Sequence, residues 1–381
     1  MDGALQEVLD LPTSVTPALL SRIKVMAGMN IAEHRRSQDG KFATETDGRQ
    51  VDVRAATTAT IWGEKCVLRL LDKSRALFDL RQLGMPRETA ARYSSLIHRP
   101  SGMVLCAGPT GSGKTTTLYA SLNTLNESSR NIMTIEDPVE YVLPSINQIQ
   151  TNEVIGTTFA QGLRAILRQD PDVVLVGEIR DTETARIAVQ AALTGHFVLS
   201  SLHATDSAAA VHRLLDMGIE PYLIATSVIG VVAQRLLRRI CPECRVPHSP
   251  SPEELAFWAE AGGPDDAAFA IGKGCEFCRG TGYRDRIGLY ELMAVTPEVK
   301  ELISARASRD TLRRQAIEQG TRTLDRDAIA LVAAGVTTIS EASQVSLLGS
   351  EATAAGTHRS AHRWPDRRGG GRKPPGRQCR P

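Results

Sequence analysis

The stretch Gly108-Pro109-Thr110-Gly111-Ser112-Gly113-Lys114-Thr115 constrains the fold of this chain more than any other. It fits G-x-x-x-x-G-K-[ST], a pattern that works only where a strand feeds a glycine-rich turn that opens a helix. The flanks supply both. Apolar Met103 to Ala107 precedes the turn, and Leu118, Leu122 and Leu125 share one helical face after it. From average usage of Gly, Lys, Ser and Thr, the pattern arises by chance in roughly one such chain in a hundred. Glycines let the backbone curl so that its N–H groups point inward at phosphates, and the helix N-terminus adds a favourable dipole. In that geometry Lys114 reaches the β- and γ-phosphates and Thr115 ligates Mg²⁺. The bland alternative is a glycine-rich turn with no ligand.

Around this loop the pattern alternates. Asn131 to Ile135, Val173 to Val176 and Phe197 to Leu199 read as buried strands, separated by helical patterns at Phe159 to Arg168 and Thr182 to Leu193. Short apolar runs alternating with helices predict an α/β core, a mostly parallel sheet with flanking helices. Before it, Ser21 to Asp72 reads as a small α+β unit with turns at Gln38-Asp39-Gly40 and Thr46-Asp47-Gly48. Ser74 to Arg99 reads as a helical linker ending at Pro100-Ser101-Gly102. Residues 206–239 read as helices, 241–290 as a loop-rich cysteine module, and 297–334 as helical again.

At 381 residues the chain can hold two or three domains. Its 42% hydrophobic and 23% charged residues are ordinary for a globular protein. The longest apolar runs, such as Ile229 to Ala233, are far too short to cross a bilayer. The acidic start MDGALQEVLD carries no visible secretory signal, which makes the cytoplasm the default, where thiols stay reduced. The net charge of +2 is unevenly spread. Beyond about Ser350 the chain holds eight Arg or Lys residues with Gly-Gly-Gly and Pro-Pro and almost no aliphatic side chain, so residues 348–381 are expected to be a disordered basic tail.

A nucleotide site that hydrolyses ATP needs one carboxylate near the metal and one able to orient water. Asp172-Val173-Val174-Leu175-Val176-Gly177-Glu178 is a strand ending in an acid, like a Walker B strand with glutamate in place of aspartate. Thr134-Ile135-Glu136-Asp137-Pro138-Val139-Glu140 is a second acidic cluster after another strand. Either could be solvated loop acids. His196 and His203 flank the next strand; isolated histidines are usually structural, and the rival role is a γ-phosphate contact or nucleotide-state sensor.

Of the seven cysteines, Cys241, Cys244, Cys275 and Cys278 form two C-x-x-C pairs. Two such turns complete a tetrahedral Zn²⁺ site with no open position, which makes the metal structural. Thirty residues separate the pairs, more than the usual ribbon spacing of roughly 15–20; a loop insertion would absorb the excess. Disulfides and unliganded thiols are the alternatives.

Four ordered motifs, GPTGSGKTT, TIEDPVEY, LVGEIRD and TGHFVLSSLHATD, resemble the Walker A, Asp box, Walker B and His box of the secretion ATPases that serve type II secretion and type IV pilus assembly. The resemblance runs from about Asp2 to about Ser340. It implies a RecA-like P-loop NTPase core, ATP bound in the cleft between that core and a small PAS-like N-terminal domain, and a homohexameric ring acting on an inner-membrane platform protein. By motif it extends the nucleotide-binding set to Thr116, makes Glu136 and Glu178 the catalytic pair around Mg²⁺ and the lytic water, and adds Lys114 and His203 to the catalytic set. It also implies arginine fingers from the small domain, where Arg35, Arg36, Arg54 and Arg69 are the candidates. A planar guanidinium suits charge spread over equatorial phosphate oxygens.

The four-cysteine module resembles that of the assembly and secretion members and not the retraction motors. Two departures stand out. The strands that normally begin the small domain and the further docking domains are missing, so the first domain is read as incomplete, and the basic tail has no counterpart.

The division expected is therefore 1–73 small α+β domain, 74–100 linker, 101–240 ATPase core, 241–290 zinc module, 291–347 helical C-terminal region and 348–381 tail. The function expected is an ATP-hydrolysing motor subunit in the cytoplasm, peripheral to the inner face of the cell membrane, with no specific nucleic acid. A nucleic-acid-dependent RecA-like ATPase and a nucleotide-switched binding protein are the other classes. The tail could bind phosphates nonspecifically, but Trp364 is its lone aromatic.

Overall fold

The computed structural model describes residues 3, 5, 7–46, 48–72 and 79–345, apart from the side chains of 49, 72 and 153. The expected basic tail, 348–381, lies outside the described residues, as does 74–78 of the expected linker.

The first unit is α1 (Thr16–Met26) followed by a three-stranded antiparallel meander, β1 (Gln38–Thr46), β2 (Arg49–Thr60) and β3 (Gly63–Asp72). Ala27, Met29 and Ala55 make its small core, with Ile23 and Phe42 packed against them. Strand pleating sends alternate residues to opposite faces. One face therefore packs under α1, and the other carries Lys41, Arg54 and Arg69, which sit directly opposite one another across the three strands.

The chain then runs through α2 (Arg87–Ile97), β4 (Gly102–Ala107), α3 (Lys114–Leu125), β5 (Ile132–Glu136), β6 (Asn147–Gln150), α4 (Phe159–Ile166), β7 (Val173–Val176), α5 (Thr182–Leu193), β8 (Phe197–Leu202), α6 (Ser207–Asp216), α7 (Pro221–Ser227) and β9 (Val228–Ile240). After β10 (Arg245–Pro247), α8 (Pro252–Glu260) and β11 (Ala270–Gly272) comes β12 (Tyr283–Ala294). Four helices close the described chain: α9 (Pro297–Ser304), α10 (Arg309–Glu318), α11 (Leu324–Ala333) and α12 (Ile339–Val345).

Seven strands form one sheet in the order β12-β9-β4-β8-β7-β5-β6. All neighbours are parallel except β12, which runs antiparallel to β9. Helices cover both faces. Tyr93, Leu96, Ile97, Leu118 and Leu122 of α2 and α3 pack on one, and the apolar stripes of α4 to α7 pack on the other. Both faces being covered explains why β4, β5, β7 and β8 are buried along their whole length and read as continuous apolar runs. Side-chain caps start the helices that follow β7 and β8. Asp181 accepts from the Thr184 N–H at 2.8 Å and Asp206 from the Ala209 N–H at 2.7 Å, caps worth about 1 kcal/mol each.

Three expectations change. Residues 206–239 are not helical throughout, because Val228–Ile240 is a thirteen-residue strand beside β4. Its first seven residues are fully buried, and an apolar run covered on both faces carries no period that separates strand from helix. Residues 283–290 are not cysteine module but the start of β12, which belongs to the main sheet, so the last edge of that sheet is built from residues past 240. Within 79–100, α2 occupies only Arg87–Ile97, after a short 3₁₀ turn at Leu80–Gln82.

Candidate nucleotide and metal sites

In a parallel sheet the ligand crevice opens at the carboxyl ends of the strands. Here β4 ends in the phosphate loop, β5 in Glu136, β7 two residues before Glu178, and β8 one residue before His203. In the sheet order β8 lies between the loop strand β4 and β7, which leads to Glu178, and β8 and β7 both lie between β4 and β5, which ends in Glu136. The crevice is a cleft of about 610 Å³ lined by Thr110 to Thr116, Glu136, Glu178, His203 and, from the small domain, Arg69.

The loop keeps its shape because of glycine at two points. Gly113 caps α3 in the left-handed conformation, φ 87°, which glycine adopts without steric cost. A Cβ on Gly108 would stand 2.4 Å from Ser112 Oγ and 2.7 Å from the Gln234 carbonyl oxygen. Gln234, from β9, is a buried brace behind the loop; its Oε1 accepts from Thr117 Oγ1 at 2.8 Å and from the Cys106 thiol at 3.6 Å. Lys114 Nζ donates to the Gly108 and Pro109 carbonyls at 2.9 and 3.0 Å. Burial pulls the Lys114 ammonium below its ordinary value, opposed by nearby Cys106 and Glu178.

The two acids are held in different ways. Glu136 is buried and accepts from Thr134 Oγ1 at 2.6 Å, Gln148 Nε2 at 3.1 Å and, at shorter range, the Tyr119 hydroxyl. Glu178 is ion-paired with Arg180 and stands 3.5 Å from His203 Nε2. Arg180 also reaches Asp137 Oδ2 at 3.5 Å, tying the ends of β7 and β5 together.

The remaining candidates separate. His203 lies in the cleft, whereas His196 precedes β8 at the opposite, amino-terminal end of the strand, where its Nδ1 lies 3.1 Å from the Ala191 carbonyl. Six strand residues at about 3.3 Å each put it on the order of 20 Å from the phosphate loop, too far to touch a nucleotide there. Arg35 and Arg36 are exposed in the turn before β1, where their backbone N–H groups donate to Glu33 Oε1. Arg54 reaches the core, donating from Nη2 to the Val139 carbonyl at 2.9 Å. Like charges opposite one another destabilise a sheet unless something negative faces them, and of the row Lys41-Arg54-Arg69, Arg54 meets the loop after Glu136 and Arg69 lines the cleft.

Tyr119, Arg180 and Arg286 also line the cleft and went unread in the sequence. Arg180 follows the Walker B acid by two residues, a signal that could have been read. Arg286 arrives from β12, some 170 residues past the loop, with no local signal at all.

Away from the cleft, Cys241, Cys244, Cys275 and Cys278 bring their sulfurs within 4.8 Å of one another. The Cys241–Cys275 and Cys244–Cys278 separations are 3.8 Å and Cys275–Cys278 is 3.7 Å. A tetrahedron with metal–sulfur bonds of about 2.3 Å spaces its sulfurs about 3.8 Å apart, whereas a disulfide needs about 2.05 Å. Backbone N–H groups of Cys275 and Gly282 donate to Cys278 Sγ at 3.2 Å, and that of Gly274 to Cys244 Sγ at 3.3 Å. Burial raises the Cys278 thiol, but the Cys275 and Gly282 N–H groups outweigh it and hold it below its ordinary value, whereas burial pushes the neighbouring Cys244 thiol up. The set fits a structural metal. The long gap between the pairs is filled by α8, whose Trp258 stacks edge-on against Phe269.

A family described as Type II/IV secretion system protein matches residues 1–344. Type II secretion system protein E of Dickeya dadantii is 50% identical over 345 residues, 91% of this chain and 68% of that protein. Type II secretion system ATPase E of Vibrio cholerae is 46% identical over the same shares. Among solved structures, the pilus retraction motor PilT with bound ADP aligns with a TM-score of 0.60 and 27% identity, covering 83% of this chain and 79% of that one. The ATPase DotB of Legionella pneumophila, at 0.66 and 20% identity over 90% and 86%, shares the fold. With a phosphate loop, two acids and a four-cysteine cluster laid out on that fold, this chain belongs to the Type II/IV secretion system protein family.

Proposed function

We propose that this chain is an ATPase motor subunit that powers type II protein secretion or the assembly of type IV pili. The observation that carries the reading is a single cleft lined together by Lys114 of the phosphate loop, Glu136, Glu178 and Arg69 of the small domain. Those groups divide the work of phosphoryl transfer to water. The loop N–H groups and Lys114 would hold the phosphates, and Thr115 would be a ligand for Mg²⁺, which when bound would supply neutralising charge to the transferred group. Glu136 and Glu178 supply the carboxylates that phosphoryl transfer to water requires, one near the metal and one for the water, with His203 beside Glu178. Arg69, which lines the cleft, is the small-domain cation that closes on the phosphates; Arg54 is held beside it on the Val139 carbonyl, and Arg35 and Arg36 do not line the cleft. The four cysteines hold Zn²⁺ as a structural ion.

Closing the cleft by moving the small domain against the core turns hydrolysis into motion. A homohexamer acting on an inner-membrane platform protein, from the cytoplasmic face, is the working assembly that this implies. Among the described residues no helix is long and apolar enough to cross a membrane.

The test is ATP turnover by the purified chain with Lys114→Ala as control, with single-stranded DNA or acidic phospholipid added in turn. Mg²⁺-dependent turnover abolished in the variant supports the reading. Strong stimulation by DNA alone would move the protein to the nucleic-acid class, and absence of turnover in the assembled ring would make nucleotide a switch.

A further inference from the structure

We propose that Tyr119 is a positioning residue for hydrolysis, fixing the Glu136 carboxylate from within the helix that carries the phosphate-binding lysine. The inference rests on the reading of Glu136 as a hydrolytic carboxylate. Tyr119 lies five residues after Lys114 on α3 and is buried, 3% exposed. Its hydroxyl donates to Glu136 Oε2 and accepts from the Glu140 N–H at 3.3 Å. It therefore touches both the acid at the end of β5 and the loop that follows.

The other oxygen, Oε1, takes its bonds from Thr134 and Gln148, and Gln148 is itself fixed by the Leu143 N–H at 2.7 Å and the Tyr141 carbonyl at 3.1 Å. Both carboxylate oxygens are thus bonded to neutral donors, and the carboxylate plane cannot turn without breaking at least one bond. Burial and the adjacent Glu136 charge push the Tyr119 phenol far above its ordinary value, so it stays a neutral donor wherever the enzyme works. Glu178 contrasts with this, since its partners Arg180 and His203 are more than half exposed.

A side chain that only filled space here would need its ring and not its oxygen. The ring already packs edge-on against Tyr141, centroids 6.3 Å apart. Tyr119→Phe keeps that packing and removes only the hydroxyl. Hydrogen bonds to charged groups are worth about 1.5–3 kcal/mol, which in a transition state corresponds to about ten-fold or more in rate.

The experiment measures kcat and KM for ATP, and binding of a fluorescent ADP analogue, for the full chain, Tyr119→Phe and Glu136→Gln. The expected result is that Tyr119→Phe lowers kcat about ten-fold or more while KM and ADP affinity stay within about three-fold, the split that marks an interaction made for the chemical step. Unchanged kcat in Tyr119→Phe, with Glu136→Gln crippled, overturns the positioning role and leaves the site reading intact. Unchanged kcat in Glu136→Gln sinks the site reading itself. Loss of ADP binding in Tyr119→Phe also overturns the inference, because the hydroxyl would then be supporting the phosphate loop.

Discussion

Arg54 Nη2 donates to the Val139 carbonyl oxygen at 2.9 Å, joining the small domain to the loop that follows Glu136. Eighty-five residues of chain separate the two, so the contact is one of domain placement. A guanidinium held on a carbonyl at the rim of the cleft sets how the cationic face of the small sheet meets the acidic face of the core. Arg54→Ala is expected to lower kcat/KM for ATP about ten-fold, in line with the loss of one charged hydrogen bond. Steady-state ATPase kinetics check this; an unchanged kcat/KM would show that domain placement does not pass through this contact.

Gly108→Ala tests the phosphate loop by sterics alone. The added carbon meets Ser112 Oγ and the Gln234 backbone at distances well inside van der Waals contact. The backbone oxygen cannot step aside as a side-chain end can, so the loop must shift. Overpacking of this kind costs about 1–3 kcal/mol. ADP affinity measured by calorimetry should fall at least ten-fold, with a lower melting temperature. Wild-type affinity in this variant would mean that the loop is less tightly braced than its geometry indicates.

The four-cysteine cluster predicts bound metal. Protein purified without chelator should contain about one Zn²⁺ per chain, and Cys275→Ser should reduce that to near zero, since three thiolates with no replacement hold the ion far less tightly. Metal analysis by mass spectrometry decides it, and unchanged zinc in the variant would refute the site. The β9–β12 ribbon enters and leaves the cluster, so the variant should also melt at a lower temperature.

Glu291 gives the stability a pH dependence. It is buried on β12, accepts from the Ser207 hydroxyl at 2.6 Å and N–H at 3.0 Å, and burial raises its carboxyl above the ordinary 4.5. A raised carboxyl means that the folded chain binds the proton more tightly than the unfolded one. Its contribution is full below about pH 4.5 and is lost as pH rises through the folded value. Glu291→Gln cannot ionise, so its melting temperature should gain on the wild type as pH is raised from 4.5 toward 7.5. Parallel curves for the two proteins across that range would show that Glu291 titrates normally.

Local chemistry is legible along the linear chain. The spacing of Gly108, Gly113, Lys114 and Thr115, the apolar runs of β4, β5, β7 and β8, and the two C-x-x-C turns are each written within a few residues, because a tight turn or a buried strand imposes its demands on neighbours in the chain. Glu136 and Glu178 were legible for the same reason, each ending a buried run.

How distant segments meet emerges only from packing in three dimensions. Val228–Ile240 became a strand because both its faces were covered, and β12 joined the main sheet because β9 offered an open edge. His196 fell on the wrong end of its strand for a nucleotide contact, a matter of chain direction within a parallel sheet. Among the arginines, only packing of the small sheet against the core distinguished Arg54 and Arg69 from Arg35 and Arg36. The hydroxyl of Tyr119 found Glu136 because α3, packed on β4 and β8, carries the tyrosine to the end of β5. Such contacts arise from the way helices and strands stack, and a one-dimensional pattern does not encode which side chain will stand across a gap from which.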